Sequence, residues 1–202
     1  MAASDAPARP YILGVGGTTR PGSSTEKALA LALRTLADDG CETRLFGGEF
    51  LAALPHYDSE AGQRTAHELE FLSAVRRADG VILATPAYHA GISGLVKNAL
   101  DLIQDTARDP RPYLDGLAVG LVVTAYGWQA TGATLGSLRS IVHALRGWPT
   151  PLGVTLNTSS PAPFSSDGTC AEPRVAEQLS TMARQVASFA RQTRPCGREP
   201  GG

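Results

Sequence analysis

Five runs rich in Val, Ile and Leu, each followed by a stretch where apolar residues recur at helical spacing, constrain the fold of this chain more than any other feature. Strands are expected at Tyr11 to Gly16, Glu42 to Phe46, Gly80 to Ala84, Leu117 to Thr124 and Leu152 to Leu156. Helices are expected at Ser24 to Ala37, Ala66 to Arg77, Leu95 to Thr106, Thr131 to Leu145 and Pro173 to Gln192. Strands separated by helices cannot pair as tight hairpins, so they line up in parallel with the helices laid against the sheet. The first helix shows its buried stripe in Leu29, Ala32, Leu33 and Leu36, while Lys27, Arg34 and Asp38 fall elsewhere. The last helix repeats the pattern through Val175, Leu179, Met182, Val186 and Phe189, which reads as core.

A chain of 202 residues with 43% hydrophobic content suits one core, so a single domain over residues 10–193 is expected. Residues 1–9 and 194–202 lack apolar periodicity and are expected to be disordered. Eighteen basic residues against nineteen acidic ones, with no basic cluster, argue against nucleic acid as a partner. No window approaches the ~18 apolar residues of a membrane span, so a soluble, cytoplasmic protein is expected. Cys41, Cys170 and Cys196 are far apart, and His56, His67, His89 and His143 lack ligand spacing, so no disulfide framework or metal site is expected.

The loop after the first strand, GGTTRPGSST from Gly16 to Thr25, crowds hydroxyls around Arg20 and runs straight into a helix. Free amides at a helix N-terminus attract an anion, hydroxyls add donors, and a guanidinium adds charge in a forked geometry. The spacing matches neither the P-loop nor the dinucleotide fingerprint, which points to a single terminal phosphate. Ser23 or Ser24 would equally serve as a plain helix cap, with Arg20 solvated.

A second loop leaves the third strand as TPAYHAGISGLVKNALD, from Thr85 to Asp101. Pro86 fixes the chain, small residues after Tyr88 admit a ligand close to the main chain, and a flat heteroaromatic ring could meet the amides edge on. Tyr88 also suits half-buried packing and His89 a solvated position, while Lys97 and Asp101 have the spacing of a surface pair. Two long connections remain, residues 47–65 and 157–172, and the first is of a length that often borders a site.

Together the two loops resemble the NADPH-dependent FMN reductase family of flavodoxin-like proteins, over roughly residues 11–157. The family's first loop commonly runs G-S-x-R-x-x-S-x-N/T and its second P-x-Y-N-x-x-x-P-G-x-L-K-N-A-x-D. The resemblance implies an α/β three-layer sandwich whose five-stranded parallel sheet has the order 2-1-3-4-5, with helices on both faces. It implies that Thr18, Arg20, Ser23, Ser24 and Thr25 hold the FMN phosphate, and that Pro86, Ala87, Tyr88, His89 and Ala90 border the isoalloxazine. A third element, Thr124, Ala125, Tyr126, Gly127 and Trp128, would line the remaining edge. Thr18 stands where serine is usual, His89 where asparagine is, and Ser93 where proline is.

The implied activity is hydride transfer from NADPH or NADH to FMN, and the absence of any evident nucleophile–base pair or carboxylate dyad beside these loops fits chemistry carried by a cofactor. Reduced FMN would then either dissociate to a partner monooxygenase or stay bound and reduce a quinone or similar small acceptor. A homodimer or homotetramer is implied as well. Two other readings stand beside this one: a flavodoxin-like electron carrier without NAD(P)H turnover, which the net charge of -1 argues against, and a phosphosugar- or nucleotide-binding enzyme, which rests on the first loop alone.

Overall fold

A computed structural model describes residues 9–159 and 162–193; the two tails expected to be disordered, apart from Arg9, lie outside the described residues, as does Cys196. Five strands, β1 (Tyr11–Gly16), β2 (Glu42–Phe46), β3 (Gly80–Tyr88), β5 (Ala118–Ala125) and β6 (Trp148–Asn157), pair in parallel in the order β2-β1-β3-β5-β6. Counting only parallel strands, this is the order 2-1-3-4-5 of a flavodoxin-like sheet. A sixth strand was not expected: β4 (Gly91–Ile92) turns back against the end of β3 in antiparallel fashion.

The strand alternation separates two cores. Leu13, Val15, Val81, Leu83, Val119 and Leu121 face one way, towards α3 (Ala66–Arg77), α4 (Gly94–Leu102) and α5 (Trp128–Ala144). Ile12, Ile82, Val122 and Val154 face the other way, towards α1 (Ser24–Asp38) and α6 (Pro173–Thr193). Met182 and Val186 of α6 are fully buried on that side, so the expected stripe is core. The helix seats so closely that a Cβ on Gly120 would stand 2.1 Å from the Met182 sulfur.

Helix starts follow local chemistry. Thr65 and Glu68 form a reciprocal capping box on α3, and the Glu68 carboxylate accepts from the Thr65 amide at 2.7 Å. Elsewhere the boundaries moved for identifiable reasons. β6 starts at Trp148 rather than Leu152 because Pro149 and Pro151 are tolerated on an edge strand, next to a register shift between Val119 and Leu121. The expected helix from Leu95 to Thr106 divides into α4 and a 3₁₀ turn at Ile103–Thr106, and the connection after β2 contains a short helix, α2 (Gly48–Ala52). Among the described residues no helix is long and apolar enough to cross a membrane.

The exit of β1 is held by close backbone contact. Gly16 has φ +153°, and a Cβ there would lie 2.0 Å from the Ala84 carbonyl oxygen of β3. A methyl group must therefore push the two central strands apart. Gly16→Ala is expected to lower unfolding stability by about 3 kcal/mol, from overpacking and a disfavoured φ together, measured by urea denaturation. A loss under about 0.5 kcal/mol would show that this strand end yields.

Candidate cofactor site

Because β1, β3 and β5 are neighbours in a parallel sheet, the loops leaving their carboxyl ends emerge side by side. Register pairs Gly16 with Ala84 and Pro86 with Thr124, which brings together the three segments the sequence singles out.

In the first loop, the Thr18 hydroxyl lies 3.2 Å from both the amide and the carbonyl oxygen of Arg20, accepting from the former and donating to the latter, which folds the chain into a tight turn. Thr19 and Arg20 are exposed. Ser23 is the N-cap of α1: its buried hydroxyl accepts from the Glu26 amide at 3.3 Å, and Glu26 in turn takes the Gly22 amide at 3.3 Å. Thr25 is buried, and its hydroxyl lies 2.6 Å from that of buried Thr124 at the end of β5. Ser23, Thr25 and Thr124 thus spend hydroxyl capacity on the protein itself. Thr18 likewise spends its hydroxyl on Arg20 and the Glu26 amide is taken by Ser23, which leaves the Arg20 guanidinium, the Ser24 hydroxyl and the Ser24 and Thr25 amides without a protein acceptor among the described residues.

The second loop is a hairpin rather than an open cradle. Ala87 pairs with Ile92 and Tyr88 with Gly91, and the two residues at the tip, His89 (φ 50°) and Ala90 (φ 62°), are both left-handed, as a primed two-residue turn requires. His89 and Ala90 are exposed, and Tyr88, expected as a half-buried residue on one reading, is 58% exposed. Pro86 is buried and Ala87 partly so. Beneath the hairpin, the fully buried Thr85 hydroxyl accepts from the Ser93 amide at 2.9 Å and donates to the Pro86 carbonyl. Ser93, buried at the start of α4, therefore belongs to the support rather than to the open face.

The third segment is shorter than expected, because Trp128 already begins α5. Gly127 (φ 108°) donates its amide to the Asn157 side-chain oxygen at 3.0 Å, and the same oxygen accepts from the Ser159 amide and hydroxyl. Tyr126 is 80% exposed and Trp128 64%, so both rings stand out from this edge of the sheet.

Three positioning residues escape a reading of the sequence: Thr85, Asn157 and Asn98. Asn98, within the LVKNALD segment, accepts from the Tyr57 amide and donates to the Pro55 carbonyl, each at 2.8 Å. Arg64 closes the same connection by forking onto Asp105 at 2.6 and 2.9 Å, with its guanidinium 5.0 Å from the centre of the Tyr57 ring. Burial, followed by the Asp105 carboxylate, raises the Tyr57 phenol above its ordinary pKa. Lys97 and Asp101 form the expected surface pair, at 2.6 and 2.8 Å. Among the described residues no three His, Cys, Asp or Glu are placed to hold a metal ion.

Residues 10–160 match the model of the NADPH-dependent FMN reductase family. The chain belongs to that family. It is 26% identical to a probable NADPH:quinone oxidoreductase 2 of Oryza sativa subsp. japonica, across 94% of this chain and 93% of the relative. It is 24% identical to an NAD(P)H-dependent FMN reductase of Pseudomonas aeruginosa, across 91% and 96%. In fold it is similar to the flavoenzyme NAD(P)H:(acceptor) oxidoreductase FerB from Paracoccus denitrificans, with a TM-score of 0.74 at 17% identity over 91% of this chain and 98% of the other. As a member of this family the chain is an FMN-binding, NAD(P)H-dependent oxidoreductase with a flavodoxin-like fold.

Two stability measurements probe this framework. Thr25→Val and Thr124→Val should each cost about 1–2 kcal/mol by leaving a buried hydroxyl alone, while the double variant loses less than the sum. Strict additivity would mean the hydroxyls are not coupled. Ala90→Gly should raise stability by about 0.5–1 kcal/mol by relieving a left-handed alanine, and a loss would show that the turn is not under that constraint.

Proposed function

We propose that the three loops hold FMN with its phosphate at residues 18–25 and its ring between the β3 hairpin and residues 124–128, and that the protein retains the cofactor and reduces a quinone-type acceptor in the cytoplasm as a homodimer. The observation that carries this reading is the hydroxyl pair between Thr25 and Thr124, which ties the first loop to the third across the end of β3. It fixes the spacing of two walls while leaving the charged, exposed face of the first loop outward.

The donor set suits a phosphate monoester. Arg20 is exposed and has no ion-pair partner among the described residues, Ser24 adds a hydroxyl, and the first turn of α1 adds the amides of Ser24 and Thr25. Glu26 is the acidic group in that turn, and its engagement with the Gly22 amide keeps it fixed beside the loop. When bound, FMN supplies the ring that accepts and passes on the hydride. The protein's part is to orient that ring through the Pro86–Tyr88 edge and the Gly127 segment and to shield it from water. Tyr88, Tyr126 and Trp128 offer flat aromatic surface to a flat acceptor, and as exposed apolar area they also suit burial against a second copy. The rice relative, whose name is that of a quinone oxidoreductase, supports this class of acceptor.

Purified protein should carry or acquire FMN absorbance that survives gel filtration, and should oxidise NADPH or NADH in the presence of a quinone. Arg20→Ala should weaken FMN binding roughly tenfold or more, as loss of a charge-assisted phosphate contact does. No change in flavin absorbance at saturating FMN would sink the reading. Flavin binding without steady NAD(P)H turnover would favour an electron carrier instead.

A further inference from the structure

A cavity of about 320 Å³ borders the third loop at Trp128, on the α1/α6 side of the sheet where β6 ends. Ligand pockets start near this size, which admits one ring-sized molecule. Its floor is the edge of the core, Leu156 and Val175, and its wall is the exposed indole of Trp128. Its polar groups come from Thr155, Asn157, Glu172, Arg174 and Gln178.

The charges are the informative feature. Glu172 and Arg174, both exposed, line the same cavity, and neither has an ion-pair partner among the described residues. The Glu172 backbone is committed to the start of α6, its carbonyl accepting from the Val175 and Ala176 amides at 3.0 and 3.1 Å, while its carboxylate is left open. An apolar floor, an aromatic wall and two separated opposite charges call for a molecule with an apolar ring, an anionic group for the guanidinium and a donor for the carboxylate.

We propose that this cavity is a second ligand site, for a ring-sized organic carboxylate that carries a hydrogen-bond donor such as a hydroxyl away from its acid group. The guanidinium of Arg174 takes the carboxylate, the carboxylate of Glu172 takes the donor, and the ring lies between Trp128 and the Leu156–Val175 floor. The site does not rest on the flavin reading, since it is built on β6 and α6 and shares only Trp128 with the three loops. It does reach them. Asn157 lines the cavity and its side-chain oxygen holds the Gly127 amide, so a ligand against Asn157 bears directly on the third loop.

The test uses 4-hydroxybenzoate and benzoate as probes of the full chain without FMN, read by saturation-transfer NMR and calorimetry. Saturable binding of 4-hydroxybenzoate, tighter than that of benzoate, is expected. Arg174→Ala should weaken it about tenfold, Glu172→Gln should remove the preference over benzoate, Val175→Trp should fill the cavity and end binding, and Arg20→Ala should leave it unchanged. Arg174 is exposed, so its variant tests the site even if Val175→Trp fails to fold. Absence of saturable binding, or binding indifferent to Arg174→Ala, overturns the proposal. Binding lost in Arg20→Ala but kept in Arg174→Ala places the probe in the phosphate loop and overturns it too, without touching the flavin reading.

Discussion

The loop-bearing edge of this sheet depends on β3 being clamped between β1 and β5. Parallel pairing fixes where each strand ends, and so fixes which loops meet. The contact of Gly16 with the Ala84 backbone sets one side of that clamp, and the Pro86–Thr124 register sets the other. Once those ends are set, a loop of hydroxyls, a hairpin and a glycine-containing turn have nowhere to go but together. The fold therefore brings segments about 60 and 100 residues apart together through strand order alone.

Buried hydroxyls then do the fine placement. Thr85 holds the base of the hairpin, Thr25 and Thr124 join the first and third walls, and Ser23 starts α1. Each sits at or near a junction between elements, where backbone groups run out of ladder or helix partners and a short polar side chain costs least to satisfy. The resemblance at the level of motifs implies that Ser23, Thr25 and Thr124 also face the cofactor. Their burial and hydrogen bonds also make them part of the scaffold, whereas the Arg20 and Ser24 side chains have no hydrogen bond of this kind among the described residues.

The elements of regular structure were largely legible in the chain, because apolar periodicity is a local property. β1, β2 and α3 fall where spacing puts them. What was not legible depends on contacts between distant segments or on backbone states that no periodicity encodes. The hairpin at residues 87–92 hides because His89 and Ala90 lack the Asn-Gly signal of a primed turn. β6 hides its first residues behind two prolines that only an edge strand accepts. Asn157 is unremarkable as a residue ending a strand, and its role exists only because β6 lies beside β5 and brings it to Gly127.

Asn157 also shows how two parts of this edge are mechanically joined. One side-chain oxygen serves Gly127 in the third loop and Ser159 at the start of the next connection, while the same residue forms part of the cavity beside α6. That connection is anchored further along, where Lys27 of α1 donates to the Ser165 carbonyl at 2.7 Å. Lys27 follows Thr25 by two residues, so the chain beyond β6 is tied near Ser159 to the third loop and at Ser165 to α1. Any displacement of residues 157–172 must strain one of these two attachments.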